Sequence, residues 1–320
     1  MMMEGCVTPL PQHVALIGLG EVGQVLANDL RRTESIELRA WDRLFPLAGS
    51  EPQRAAAALT FVRSASSMAE AVRGSALVVC AVTAGECHAA AAEAALALAP
   101  GTFYLDLNSV SPRTRSQAAH AIEAAGGRYV EAAVMSPIVP KRIASPIWLG
   151  GPHAKAFLPL AQALGFSGAG VYAESIGTAS AAKMCRSVIV KGMEALLAES
   201  LLSARRYGVE DVVIASLQDL FPLGNWRKLA HYMISRSLQH GQRRAEEMRE
   251  AARTVAESGL EPWMSRGSVE RQQWAAGHAA ALTEGELGAM LDRMLAQIPA
   301  PEAGRAAATA PGRSLEAARQ

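Results

Sequence analysis

Val14-Ala15-Leu16-Ile17-Gly18-Leu19-Gly20-Glu21-Val22-Gly23 is a short apolar strand running into three glycines at fixed spacing. That spacing suits a loop that holds a pyrophosphate. Gly18 permits a tight turn out of the strand, and Gly20 lets phosphate oxygens approach the backbone. Gly23 lets the following helix pack on the strand. The helix N-terminus adds free N–H groups and the positive end of its dipole, so Leu19, Glu21 and Val22 belong to the same cradle. Ile36–Trp41 reads as a second strand, and Asp42 follows it nineteen residues after Gly23. An acid at that offset accepts hydrogen bonds from the adenosine ribose and repels a 2′-phosphate, which favours NAD over NADP. Arg43, next in the chain, is placed to turn toward a phosphate or to stack on adenine. Val82, Thr83 and Asn108 stand at the ends of later strands, where an open α/β sheet lines its ligand crevice, and they complete the expected cofactor set.

A second set begins at Gly177. Residues 177–194 contain no proline and read as a helix. At about 3.6 residues per turn, Lys183, Ser187, Lys191 and Glu194 share one stripe. The rest of this helix is apolar or small, including Val188, Ile189, Met193, Leu196 and Leu197. Such a stripe is either a solvated face carrying a weak Lys191–Glu194 pair or a cleft wall with a lysine aimed at substrate. The helix starts where the strand-rich half ends, and ligand sites of two-domain enzymes lie at such junctions, which favours the wall.

Three further segments carry polar groups. Asn108 and Ser109 are candidates for a substrate carboxylate or the nicotinamide ribose, while Ser111-Pro112 has the pattern of a helix cap. Met135 and Ser136 lie in the loop after Glu131-Ala132-Ala133-Val134. His240, Arg244 and Met248 are spaced i, i+4, i+8, and Arg243 with Glu247 has the spacing of an i, i+4 pair. By itself that last segment reads as a solvated face. If its helix reaches the cleft, Arg244 is a clamp for carboxylate or phosphate.

The elements that position these groups follow from the apolar pattern. From residue 13 to 174, strands at 14–17, 36–41, 59–62, 76–82, 102–107, 128–131, 147–149 and 171–172 alternate with alanine-rich helices such as 88–98 and 114–125. Continuous apolar runs such as Ala76–Val82 fit strands covered on both faces. The expected fold is an α/β Rossmann domain with a doubly wound, mainly parallel sheet over residues 13–174. An all-α domain is expected over 175–298, entered through a long interdomain helix at 179–207. Further helices are expected at 211–220, 225–239, 243–258 and 269–297. Residues 299–320 are small, polar and proline-containing, and read as a disordered tail.

Composition narrows the partners. The chain has 320 residues, 50% of them hydrophobic, with 31 basic and 30 acidic residues and a net charge of +1. That balance gives no reason to expect nucleic acid or an anionic membrane. No apolar run approaches the roughly 18 residues of a membrane span. The first twelve residues lack the pattern of a signal peptide. Cys6, Cys80, Cys87 and Cys185 lack metal-ligand spacing and read as reduced thiols of a cytoplasmic protein.

The glycine loop, the Asn-Ser-x-x-Pro segment at 108–112, the Glu-Ala-Ala-Val-Met-Ser loop at 131–136 and the Gly-x-x-x-x-x-Lys helix start at 177–183 occur in a fixed order. That order resembles the β-hydroxyacid dehydrogenases, the group containing 3-hydroxyisobutyrate and 6-phosphogluconate dehydrogenases. The resemblance covers about residues 13–298. Lys-Met-Cys-Arg-Ser at 183–187 and residues 240–248 look more like a branch with a 6-phosphogluconate-dehydrogenase-like C-terminal domain formerly of unknown function. The resemblance implies that Lys183 is the catalytic lysine and that Asn108, Ser109 and the loop 134–136 contact substrate. It also implies a homodimer, for which Trp226, Trp263 and Trp274 supply apolar surface.

The chain departs from the family at Glu131, Ala133, Met135 and Ser136, where Asp-Ala-Pro-Val-Ser-Gly-Gly is usual. Two asparagines usually follow the lysine, and Arg186 and Ser187 replace them here. Arg186 points to an anionic or larger substrate. The expected reaction is hydride transfer between a nicotinamide and a hydroxyl carbon of a small hydroxyacid, with Lys183 as general acid and base. Decarboxylation can follow when the product is a β-keto acid. A base needs a pKa near the working pH, so burial and positive neighbours such as Arg186 and Lys191 must lower Lys183 from about 10.4. Two other readings stand beside this one. Imine or ketone reductases on the same scaffold usually lack the lysine, and a non-catalytic dinucleotide sensor would have no use for the polar stripe. No His, Cys and acid cluster suggests a metal.

Overall fold

The computed structural model describes residues 10–33, 36–222 and 224–299. Eight strands form one sheet: β1 His13–Ile17, β2 Glu37–Trp41, β3 Val62–Ser64, β4 Leu77–Cys80, β5 Phe103–Asp106, β6 Arg128–Val134, β7 Ile147–Gly150 and β8 Ala169–Ala173. Their spatial order is β3-β2-β1-β4-β5-β6-β7-β8. Neighbours run parallel except β6 and β7, which are antiparallel. The order reverses between β1 and β4, and the crevice beyond the strand ends at that switch point is where an open sheet binds ligands.

Seven helices accompany the strands: α1 Glu21–Leu30, α2 Glu51–Ala58, α3 Met68–Val72, α4 Cys87–Ala95, α5 Pro112–Ala124, α6 Ile138–Lys141 and α7 Ala154–Ala163. β1 shows why its sequence reads as a continuous apolar run. Val14 and Leu16 enter one core, shared with Leu26 and Leu30 of α1, while Ala15 and Ile17 enter another, shared with Met68 of α3 and Ala91 of α4. Both faces of the strand are covered by helices, so neither register carries polar residues.

After β8 the chain is helical: α8 Thr178–Arg206, α9 Glu210–Leu220, α10 Trp226–Glu257, α11 Trp263–Ala275 and α12 Leu287–Leu295. Leu197 and Leu201 of α8, Ile234 and Leu238 of α10, and Met290 and Met294 of α12 share a third core. Among the described residues, no helix is long and apolar enough to cross a membrane.

Several elements differ from the sequence reading. The strand expected at 128–131 runs on to Val134, so residues 131–134 of the expected loop are strand. The third strand lies at Val62–Ser64 rather than 59–62, because Leu59 closes α2 after its alanine run. The helices expected at 225–239 and 243–258 form one element, α10, with a break at His240 (φ −126°, ψ 15°). The single helix expected over 269–297 is instead α11, a 3₁₀ segment over Ala276–Thr283, and α12. Non-helical backbone at His278 interrupts it. The tail expected at 299–320 lies outside the described residues except for Pro299.

The two parts are clamped at the N-terminus of α5. Ser111 caps that helix. Its backbone N–H donates to Glu250 Oε2 at 2.8 Å, and its hydroxyl donates to Glu257 Oε1 at 2.8 Å. Two carboxylates of α10 thus meet the positive end of the α5 dipole. A second link joins Glu21 of α1 to Arg243 of α10 at 3.4 Å.

Candidate active site

The glycine loop is built as its spacing suggests. Gly18 has φ +91°, and a Cβ there would meet the Ala81 carbonyl oxygen at 2.4 Å. A Cβ on Gly23 would meet the Gly18 carbonyl oxygen at 2.1 Å, so only glycine allows α1 to sit this close to β1. Gly20 is the contrast, since a Cβ there meets nothing within 4 Å. A Cβ on Gly20 would stand in open space, and the N-terminus of α1 has no side-chain cap, so its first N–H groups are left for a ligand. That cradle fits a dinucleotide pyrophosphate.

Asp42 is tied to the loop it serves. Its Oδ2 accepts from Leu19 N at 2.9 Å and its Oδ1 from Leu44 N at 2.9 Å. Arg43 is exposed, and its guanidinium meets Glu86 at 2.5 Å. Val82 N donates to Asn108 Oδ1 at 2.7 Å, and the Asn108 amide donates to Cys80 Sγ at 3.4 Å. The Asn108 side chain is therefore occupied in joining the ends of β4 and β5, and the residue is only 3% exposed. Thr83 is exposed, and Ser109, Met135 and Ser136 are half-buried. Met135 N donates to Pro146 O at 2.9 Å, and Ser136 Oγ donates to Pro137 O at 3.1 Å, which fixes that loop against the chain leading into β7.

Beneath these loops lies a buried polar knot. Asp106 and Arg115 pair at 2.7 Å, and both are fully buried. Tyr129 donates to the same carboxylate at 2.6 Å. Arg115 also donates to the carbonyls of Asp106 and Asn108 and, at 2.9 Å, to Ser180 Oγ. Glu131, equally buried, accepts from Gly177 N at 2.7 Å and from Ser180 N at 2.5 Å. A carboxylate at a helix start takes up orphan N–H groups and complements the dipole. Glu131 and Arg115 thus pin the first turn of α8, and Lys183 lies on the next turn.

Lys183 keeps some accessible surface, yet protein atoms crowd its ammonium. Burial, with Lys191, Arg115 and Arg243 nearby, lowers its pKa to about 7, against the pull of Glu247 in the other direction. Arg186, expected to contribute, is exposed on α8 and is not among these neighbours. Lys191 forms an ion pair with Glu247 of α10 and donates to Ser187 Oγ at 3.4 Å. Glu247 is held ionised, with a pKa of about 2, by Lys191, Arg243 and Lys183 despite its burial.

The pairings differ from the spacing-based reading. Lys191 does not pair with Glu194, and Glu194 instead meets Arg244 at 2.7 Å and accepts from Gln272 at 3.1 Å. Arg243 reaches Glu21 rather than forming the i, i+4 pair with Glu247. One carboxylate holds Arg244, whose Nε is buried without a partner. His240, at the break in α10, is kept neutral at a pKa of about 4 by burial and by Arg243, Arg236 and Arg244. The segment 240–248 is therefore no solvated face. It packs against the polar stripe of α8, and Gly241 allows the close approach of α11, because a Cβ there would meet Gln272 O at 2.5 Å.

Residues 13–174 match the family model described as the NAD binding domain of 6-phosphogluconate dehydrogenase. The chain belongs to this family. Residues 204–275 match a domain of unknown function (DUF1932). A conserved hypothetical protein from Sinorhizobium meliloti is 35% identical, with coverage of 88% of this chain and 96% of that one and a TM-score of 0.66. A conserved protein of unknown function, described as structurally similar to 3-hydroxyacid dehydrogenases, is 30% identical over 82% of this chain and 97% of its own, with a TM-score of 0.61. Human mitochondrial 3-hydroxyisobutyrate dehydrogenase is 25% identical over 209 residues, which is 65% of this chain and 61% of that enzyme. The match thus spans less than two thirds of that curated relative.

Within the 6-phosphogluconate dehydrogenase NAD-binding family, this member's site draws on residues that spacing did not single out. Arg115, Glu250 and Glu257 depend on contacts across 60 or more positions of the chain (Arg115 to Ser180, |i−j| = 65; Ser111 to Glu250, |i−j| = 139), and Glu247, which spacing paired with Arg243, instead meets Lys191 of α8. Glu131 and Asp106 did carry a signal. Each is a carboxylate inside an apolar strand, where an ionised group must find partners.

Proposed function

We propose that this protein is an NAD-dependent oxidoreductase acting on the hydroxyl carbon of a small anionic hydroxyacid, with Lys183 as general acid and base. The observation that carries the reading is the place of Lys183, near the start of the helix that leads from the glycine-loop domain into the helical domain and crowded by Lys191, Arg115, Arg243 and Glu247, surroundings that lower its pKa to about 7. Gly18, Gly20 and Gly23 with the start of α1 would hold the pyrophosphate, and Asp42 the adenosine ribose. A nicotinamide, when bound, supplies the carbon that exchanges a hydride with the substrate. Neutral Lys183 takes the hydroxyl proton during oxidation, and protonated Lys183 returns one during reduction. Glu247 and Lys191 set the field at that nitrogen, and Arg115 and Glu131 hold its helix. If the product is a β-keto acid, its carboxylate leaves as carbon dioxide and Lys183 protonates the carbon left behind.

Asp42 supports NAD over NADP, since its carboxylate sits in the loop and would face a 2′-phosphate. The cations around Lys183 (Lys191, Arg115 and Arg243, against the carboxylate of Glu247) support an anionic substrate, with Ser109, Ser136 and Ser187 as polar contacts. We further propose a homodimer formed through the helical domain, where Ile189, Leu196, Trp263 and Met264 are exposed. The test of the reaction class is initial rates with NAD on a panel of 3-hydroxyacids and, in the reverse direction, cyclic imines. Turnover of at least one hydroxyacid and none of the imines is expected. The opposite pattern contradicts the proposal.

A further inference from the structure

Asp42 is not the only acidic group at the ribose end of the crevice. In the sheet, β1 lies between β2 and β4. Arg43 follows β2, and Glu86 lies in the 3₁₀ turn that follows β4. Their 2.5 Å ion pair therefore passes over the end of β1, where the glycine loop begins. Both side chains stay partly exposed, so the pair contributes little to stability. Its consequence is positional. The one guanidinium next to Asp42 is already held by a carboxylate.

Glu246 of α10 adds a second acid. It lies within electrostatic reach of both Arg43 and Glu86, and burial raises its carboxyl above the usual carboxylate range. Its Oε2 is buried without a hydrogen-bond partner. The nearby Arg249 is shared with Gln273, to which it donates at 2.8 Å. The helical domain thus brings an acid near the same ion pair.

We infer that Glu86 is a specificity-determining residue that holds Arg43 away from a 2′-phosphate and, with Glu246, makes the crevice select NAD against NADP. This rests on the proposed dinucleotide site. Without Glu86, Arg43 is free to turn and form a charge-assisted contact with a 2′-phosphate. The adenosine hydroxyls are still served by Asp42, so NAD affinity has no reason to change.

The experiment measures dissociation constants of NAD and NADP by calorimetry in the full chain, for the wild type, Glu86→Gln and the double variant Arg43→Ala/Glu86→Gln. Glu86→Gln is expected to tighten NADP about tenfold, equal to about 1.4 kcal/mol, with NAD within about twofold. The double variant is expected to lose that gain. An unchanged NADP-to-NAD ratio in Glu86→Gln, or a gain that survives removal of Arg43, overturns the inference while leaving the dinucleotide site intact. Binding of neither dinucleotide to the wild type overturns the site itself and this inference with it.

Discussion

At Lys183 the ordinary preference of an amine for its charged form is nearly cancelled. Burial is the largest cause, Glu247 opposes it, and Lys191, Arg115 and Arg243 add to it. With a pKa of about 7, oxidation should speed up as pH rises through neutrality and level off above it, while reduction should follow the reverse course. Glu247 favours the protonated amine, so Glu247→Gln leaves Lys191 uncompensated and lowers the lysine further. The rising limb of the oxidation profile should move to lower pH by roughly one unit, readable in kcat against pH. An unmoved limb contradicts the field assigned to Glu247. The same depression has a stability sign. Between about pH 7 and the unfolded value of about 10.4, the unfolded chain keeps a proton that the folded one has released. Lys183 therefore imposes a penalty that is full below that window and is relieved as pH rises across it, so stability grows with pH there. The alignment of Lys183, Ser187, Lys191 and Glu194 was legible because they lie within one helix. The partners of Lys191, Glu194 and Arg243 were not, because a helical wheel cannot show which neighbouring helix faces the stripe.

At the scale of elements, the glycine loop separates two kinds of requirement. Gly23 is closed by the Gly18 carbonyl at 2.1 Å from an added Cβ, whereas Gly20 opens onto empty space. Gly23→Ala should therefore force α1 off β1 and cost about 2 kcal/mol or more. Gly20→Ala should keep the thermal midpoint within about 2 °C, since its φ of −73° suits any residue, while dinucleotide affinity falls about tenfold or more. Thermal melts paired with binding titrations separate the two, and equal melting losses in both contradict the assigned roles. This loop was readable from sequence because strand, glycines and helix are adjacent in the chain. The doubly wound sheet was readable for a similar reason, since β1 and β4 are apolar on both faces. The third strand was misplaced because the alanines of α2 run into Leu59 without a breaker. The last helices were merged because alanine-rich stretches leave little periodicity to show where the backbone turns.

Across the whole molecule, α10 joins the parts of the site. It carries Glu247 toward Lys183, Arg243 toward α1, and Glu250 and Glu257 onto the N-terminus of α5. These last two carboxylates pair with the backbone N–H of Ser111 and the hydroxyls of Ser111 and Thr114. Replacing both by Gln removes two charge-assisted interactions at a dipole end. Stability should fall by about 2 kcal/mol or more, seen as a lower midpoint in denaturant. An unchanged midpoint would mean that the clamp holds nothing. None of these links was visible in the sequence, where Ser111 showed only as a cap and neither Glu250 nor Glu257 drew notice.

The central claim is that this crevice performs proton-coupled hydride transfer with Lys183 moving the proton. The most direct measurement is Lys183→Met, with NAD affinity by titration and oxidation of the best hydroxyacid substrate measured on the same sample. NAD should bind within about twofold of the wild type while turnover falls by about a thousandfold or more. Turnover within about tenfold of the wild type, with binding intact, would contradict the account.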